Sequence, residues 1–213
     1  MIMKMNLPNK LTVLRICLVP VIMVVGMLPS SIIPFYVSCV VCAALFIGTA
    51  VTDMLDGKIA RRDGLITDFG KFLDPVADKF MVIGTFFIIL YKSEFAHLRT
   101  LIIFTLILVV FRELAVTSMR LVVSTGEGIV IAANNLGKIK TVSQIVAIST
   151  VFLEPFVQWI AKLIYGVITD TTPIWRTDIV PLSWASLIFS LVMTVWSGIN
   201  YIKGYWKYLD PEK

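Results

Sequence analysis

The chain has 213 residues, of which 58% are hydrophobic and only 15% charged, and its mean hydropathy is +0.89. Soluble domains are nearer half apolar and a quarter charged, so a water-soluble globule is excluded as the main architecture. Lys and Arg outnumber Asp and Glu by 19 to 14, a surplus that membrane orientation and anionic lipid account for without nucleic acid.

A juxtamembrane segment, 1–10, opens the chain. Residues 16–52 then form a run of 37 without one charge, punctuated by Pro29, Ser30, Ser31 and Pro34. A membrane span takes about 20 apolar residues, so this run predicts two helices joined by a tight turn. No small-residue cleavage site follows the first apolar stretch, which predicts a retained helix and not a signal peptide. Next come uncharged runs of 12, 12 and 13 residues at 80–91, 100–111 and 141–153. Each must extend into charged flanks to cross about 30 Å, predicting helices over 74–93, 98–120 and 136–156. A last run of 24 uncharged residues, 179–202, predicts a sixth span, followed by a tail over 203–213. The fold expected is all-α: one polytopic membrane domain, 1–213, with six transmembrane helices.

Six spans place both termini on one side. That side carries fifteen Lys and Arg residues, and the other only Lys92, Arg99, Lys162 and Arg176, so the positive-inside rule makes the termini cytoplasmic. Cys17, Cys39 and Cys42 lie in apolar spans and read as packing residues, since three cysteines make no disulfide framework. No P-loop or dinucleotide-binding glycine motif is present. His97 falls in an extracytoplasmic loop.

The charge that remains is concentrated. Residues 53–78, DMLDGKIARRDGLITDFGKFLDPVAD, hold six aspartates. Asp53, Asp56, Gly57, Ala60 and Arg61 recur at helical spacing on one face. Asp74 and Asp78 share a face on the next helix, where Pro75 suits the first turn; the link 62–70 reads as a short turn. Two antiparallel helices would gather four carboxylates at one end of the bundle, in a polar cavity facing the cytoplasm. Such a group repels itself unless cations intervene, and hard oxygen donors without His or Cys favour Mg²⁺, Mn²⁺ or Ca²⁺. Two Mg²⁺ or Mn²⁺ ions could clamp both oxygens of a phosphoryl displacement. A divalent-cation transporter is the alternative from a different class. It would need acidic residues continuing across the membrane, where the sequence offers only Glu94, Glu154, Asp170 and Asp178 near expected loops.

The pattern D53-x-x-D56-G57-x-x-A60-R61-x8-G70-x3-D74-x3-D78 resembles the signature of the CDP-alcohol phosphotransferase family at all eight fixed positions. The segments NLPNKLTVLRICLVP, GKFLDPVADKF, FRELAVTSMRL and NNLGKIKT are similar to bacterial members that act on glycerol 3-phosphate. The resemblance implies a six-helix enzyme of the bacterial cytoplasmic membrane, usually a homodimer. It implies transfer of the phosphatidyl group from CDP-diacylglycerol to sn-glycerol 3-phosphate with release of CMP. Carried over, it makes Asp53, Asp56, Asp74 and Asp78 ligands of two metal ions and Asp78 also the general base. Asp56, Gly57, Ala60 and Arg61 would hold the CMP moiety, with Asn9 and Thr12 nearby. Other members use inositol-phosphate, serine or choline acceptors with the same aspartates. An acceptor bearing its own phosphate needs additional cations, and Arg112, Arg120, Lys138 and Lys140 are the candidates, with Glu113 orienting them. Lys138 and Lys140 are about 200° apart on a helix, so both face one pocket only if the helix begins near them.

Overall fold

In the computed structural model, which describes residues 6–65, 67–126, 135–168 and 180–206, the expected spans appear as six α-helices. They are α1 (Leu7–Met27), α2 (Phe35–Arg62), α3 (Asp68–Tyr91), α4 (Arg99–Gly126), α5 (Asn135–Ile168) and α6 (Pro181–Tyr205), with a 3₁₀ turn, Ser93–Leu98, between α3 and α4. Helices α1, α2, α4, α5 and α6 are each long and apolar enough to cross a membrane. Helix α3 has 24 residues, about 36 Å of rise, but Asp74, Asp78 and Lys79 make its first half polar. The molecule is a multi-pass membrane protein. Its cysteines are free, and Cys39 and Cys42 are buried.

Several boundaries differ from expectation. Helix α1 starts at Leu7, inside the segment read as juxtamembrane, because Asn6 caps it: the Asn6 side chain accepts from the Asn9 N–H at 3.1 Å. Helix α3 starts at Asp68, so Pro75 lies in its interior and not in its first turn. Thr67 sets that start, its hydroxyl accepting from the Gly70 N–H at 3.1 Å, a cap worth about 1 kcal/mol, while Pro75 leaves the Lys71 carbonyl without its helical donor. Helix α5 continues to Ile168, past the expected end near 156, with Phe156 and Trp159 stacked in its extension and Trp159 stacked on Tyr36 of α2. Glu154 is therefore within a helix and not near a loop. It is buried and accepts from the Leu182 N–H (3.1 Å), the Ser183 N–H (2.7 Å) and the Ser183 hydroxyl (2.5 Å), which caps α6 from outside. At the other end α6 includes Lys203, assigned above to the tail. The connections 127–134 and 169–179 and the tail beyond 206 lie outside the described residues, as do Asp170, Arg176 and Asp178.

Packing neighbours follow the order α3–α1–α2–α5–α6–α4, and α4 returns to α3, so the helices form a ring. The expected direct pairing of α2 with α3 is replaced by an arrangement in which α1 packs against both. Its buried residues explain why: Asn9, Thr12, Arg15, Val19, Ile22 and Gly26 recur every three or four positions. This one face is polar for its first two turns and apolar beyond. At the apolar end α1 meets α3 closely. A Cβ on Gly26 would lie 2.3 Å from Ile88 Cγ2, and one on Gly84 would lie 3.0 Å from Val19 Cγ1. Small residues let membrane helices approach in this way. Helix α6 uses Ser183, Ser190, Thr194 and Ser197 on its buried face to the same end. The chain alternates direction, so the start of α1, α3 and α5 and the end of α2, α4 and α6 share one pole of the ring. All the predicted site residues are at that pole.

Candidate active site

The turn between α2 and α3 fixes the edge of the site. Gly64, at φ +66°, ends α2 in the left-handed conformation, and the Leu65 N–H reaches back to the Ala60 carbonyl at 3.0 Å, a glycine-terminated helix end. Beside it, on the solvent side, Arg62 Nε donates to Asp63 at 2.7 Å. That hydrogen bond holds the Asp63 carboxyl below the usual range and the Arg62 guanidinium above its own. The start of α1 is tied to the same turn. Asn6 Nδ2 donates to the Leu65 carbonyl at 2.8 Å, while Asn9 Nδ2 donates to Thr67 Oγ1 at 3.0 Å. The Thr67 hydroxyl lies 3.1 Å from Asn9 Oδ1 and can donate to it. A Cβ on Gly70 would lie 2.9 Å from Asn9 Oδ1. Gly70, the second glycine of the eight-position pattern, is thus required by the close approach of Asn9.

Asn9, Asp56, Gly57, Ala60, Gly70 and Asp74 line one open cleft of about 160 Å³. Asn9, Asp56, Gly57 and Ala60, expected to hold one ligand moiety, therefore do share a cavity. Thr12 stands beside it, donating to Asp74 Oδ1 at 2.8 Å. Arg61 is on α2, and its side chain lies outside the described ones.

The four aspartates converge through α1. Arg15 is fully buried, and its guanidinium contacts Asp53 at 2.6 Å, Asp56 at 2.5 Å and Asp78 at 3.1 Å. A single cation therefore joins carboxylates of α2 and α3, while Thr12, one turn earlier, holds the fourth. Asp56 is nearly enclosed, its side chain 6% exposed, whereas those of Asp53 and Asp78 are 40% and 44% exposed and open to an incoming molecule. Among the described residues, no set of three or more Asp, Glu, His or Cys side chains closes around a point that would hold a metal ion; the guanidinium lies between the carboxylates instead.

Across the ring is a second charged group. Glu113 of α4 accepts from Arg112 Nη1 at 2.9 Å and from Lys140 of α5, which is itself buried. Arg112 Nη2 donates to Ser197 of α6 at 2.9 Å, and Arg120 Nη2 donates to the Tyr201 hydroxyl at 2.9 Å. Lys79 of α3 donates to Thr117 of α4 at 2.9 Å and stands within electrostatic reach of Glu113 and Lys140. Arg112, Glu113 and Lys140 are thus brought together, and Arg120 joins them through Tyr201. Lys138 is not in this group. It is exposed and lines an apolar groove of about 280 Å³ with Ile139, Val142 and Phe189, as its angular separation from Lys140 requires.

Arg15, Lys79, Thr67 and Tyr201 were not among the expected site residues. Arg15 had a signal, since it is an ionisable residue at the edge of a long apolar run, as did Lys79 beside Asp78. Tyr201 had none.

The sequence profile described as CDP-alcohol phosphatidyltransferase matches residues 5–196 of this chain. A Bacillus subtilis (strain 168) protein named CDP-diacylglycerol–glycerol-3-phosphate 3-phosphatidyltransferase is 37% identical over 215 residues, covering 96% of this chain and 97% of that one. Proteins of the same name from Escherichia coli (strain K12) and Yersinia enterocolitica are 32% and 30% identical. They cover 94% and 98% of this chain and 94% and 100% of their own. With a full signature, a helix ring that carries it to one pole and relatives matched end to end, the chain belongs to the CDP-alcohol phosphatidyltransferase family.

Proposed function

We propose that the protein transfers the phosphatidyl group of CDP-diacylglycerol to sn-glycerol 3-phosphate, giving phosphatidylglycerophosphate and CMP. The observation that carries this reading is the pairing, at one pole of the ring, of a carboxylate cluster with a separate cation cluster. The relatives named for this reaction match the chain along nearly its whole length.

The donor set of Asp53, Asp56, Asp74 and Asp78 is entirely carboxylate oxygen, and the guanidinium held against three of them occupies a position where positive charge is favoured. The oxygen-only chemistry of these residues suits two Mg²⁺ or Mn²⁺ ions, which they would hold in place of the guanidinium that lies between the carboxylates here. Such ions would neutralise the pyrophosphate of the donor and stabilise the departing phosphate of CMP. The cleft bounded by Asn9, Gly57 and Ala60 receives the cytidine end. Glycerol 3-phosphate enters from the opposite side, its phosphate drawn to Arg112, Arg120 and Lys140. Its primary hydroxyl then faces Asp78, whose carboxylate takes the proton as the oxygen attacks the phosphorus bearing the diacylglycerol. The bond from that phosphorus to the CMP oxygen breaks, and CMP leaves.

The fifteen-to-four distribution of cations supports a bacterial cell-membrane orientation with both termini facing the cytoplasm. Single cysteines at Ser93 and Asp68, in a cysteine-free background, should then react with an impermeant reagent from opposite faces. Asp68 suits this purpose because its side chain is almost fully exposed. The family resemblance supports a homodimer, which the mass of the purified protein in detergent tests. For the reaction itself, purified protein is given CDP-diacylglycerol with glycerol 3-phosphate, inositol phosphate or serine, before and after chelation. Transfer to glycerol 3-phosphate alone, lost on chelation and restored by Mg²⁺ or Mn²⁺, is expected. Preference for another acceptor would overturn the assignment.

A further inference from the structure

Arg112 and Arg120 are eight residues apart on α4, about 12 Å along its axis, yet both rest on one ring. The Arg112 Cζ lies 5.1 Å from the Tyr201 ring centroid and the Arg120 Cζ lies 5.2 Å from it, within the range of cation–π attraction. The tyrosine hydroxyl also accepts from Arg120 Nη2 at 2.9 Å. Tyr201 is buried and Arg120 is exposed, so the ring is the fixed member and the arginine the one it restrains.

The ring is held in turn. Tyr205 stacks on it one turn later, with centroids 6.2 Å apart and planes 19° from parallel. The hydroxyl end of Tyr201 meets Gly137 of α5, where a Cβ would come within 3.3 Å of the oxygen. On the α4 side, a Cβ on Gly198 would lie 3.3 Å from Arg112 Cγ, so the stem of Arg112 crosses α6 at a residue with no side chain. Ser197 takes its other end. Ser197, Gly198, Tyr201 and Tyr205 therefore form one cradle on α6 for the cations of α4. Arg112 retains a buried Nε–H with no partner among the described residues, one donor still to be satisfied.

We propose that Tyr201 is a positioning residue for the acceptor site: its ring sets the separation and orientation of Arg112 and Arg120, and so determines affinity for the phosphate of the acceptor. This rests on the reading of glycerol 3-phosphate as acceptor. An arginine grips a phosphate through two nitrogens in a fixed fork, and two forks bind one dianion well only if their relative placement is fixed beforehand. Packing alone does not require a tyrosine here. A leucine would fill much of the space, but it would offer no π face to either cation and no acceptor to Arg120.

The test is steady-state kinetics of the full-length protein in lipid nanodiscs, with each substrate varied in turn. Tyr201→Leu should raise KM for glycerol 3-phosphate at least tenfold, or about 1.4 kcal/mol, with kcat and the KM for CDP-diacylglycerol within about twofold of wild type. Tyr201→Phe keeps the ring and loses only the hydroxyl, so its increase should be about threefold, as for the loss of one hydrogen bond. In the Arg120→Ala background, Tyr201→Phe should add nothing further, because the hydroxyl acts through Arg120. An unchanged KM for glycerol 3-phosphate in Tyr201→Leu would overturn the proposal. Equal losses for both substrates would also overturn it, since they would indicate a distorted bundle. If Tyr201→Leu does not fold, the Phe and Arg120→Ala pair decides: independent, multiplicative effects reject the proposal. Failure of the wild type to use glycerol 3-phosphate at all would instead reject the functional assignment, and the two failures are distinguishable.

Discussion

Replacing Arg15 with methionine removes the cation on which three aspartates converge, and its cost can be worked from their unequal burial. Methionine keeps an unbranched stem in a position that is fully buried, so the change is chiefly one of charge. Asp53 and Asp78 have side chains 40% and 44% exposed. Solvent screens both, and pairs of this kind contribute roughly 0–1 kcal/mol each. Asp56 differs, being 6% exposed and 2.5 Å from Arg15. Taking one partner from a buried pair leaves an uncompensated charge and costs roughly 3–5 kcal/mol. For a chain of this length about 2–4 °C of Tm follows each kcal/mol, so the roughly 3–7 kcal/mol of the three contacts together should lower Tm by roughly 6–28 °C. Thermal unfolding in detergent with chelator present, followed by tryptophan fluorescence, measures it. Arg15→Lys should fall between, since one ammonium cannot span two carboxylates as the guanidinium does. Added Mg²⁺ should raise the Tm of the methionine variant more than that of wild type, because the carboxylates have lost their internal counter-charge. A methionine variant melting within about 2 °C of wild type in chelator would refute the reasoning.

Asp74→Asn should abolish turnover, whereas Asp78→Asn should lose about 10²–10⁴ in kcat yet still bind CDP-diacylglycerol; pre-steady-state CMP release and donor binding separate the two. Gly70→Ala drives a methyl into Asn9 Oδ1, which the reciprocal contact with Thr67 holds in place. It should cost roughly 1–3 kcal/mol and raise the KM for CDP-diacylglycerol, and adding Asn9→Ala should recover part of the stability. Glu154→Ala leaves the Leu182 and Ser183 donors without their acceptor, a loss of roughly 1–3 kcal/mol visible in Tm. Glu154 is about 21 Å along α5 from Lys140, so activity per folded molecule should be unchanged.

The spans and the aspartates were legible because each rests on a one-dimensional signal. A run of 37 uncharged residues has few uses outside a bilayer, and carboxylates at three- and four-residue spacing must share a helix face. Local chemistry set the boundaries instead. Asn6 and Thr67 start helices earlier than the hydrophobic runs do, and the start at Asp68 puts Pro75 inside α3. Neighbour relations were the least legible. Chain order pairs α2 with α3, but the small residues Gly26 and Gly84 bring α1 against α3, and this places Arg15 among the aspartates. The role of Glu154 was invisible for a related reason: its partners are backbone donors of α6, nearly 30 positions away, and no side-chain pattern announces them. Lys138 and Lys140 were separable by angle alone, and the structure separates them.

The central claim is direct transfer between a donor held by the aspartates and an acceptor held by the α4 and α5 cations. The most direct measurement follows both products at once in proteoliposomes containing CDP-diacylglycerol and glycerol 3-phosphate labelled at its phosphate. The account predicts that CMP appears only when glycerol 3-phosphate is present, in a one-to-one ratio with labelled lipid. CMP release at the same rate without the acceptor, or label that never enters the lipid, would contradict it.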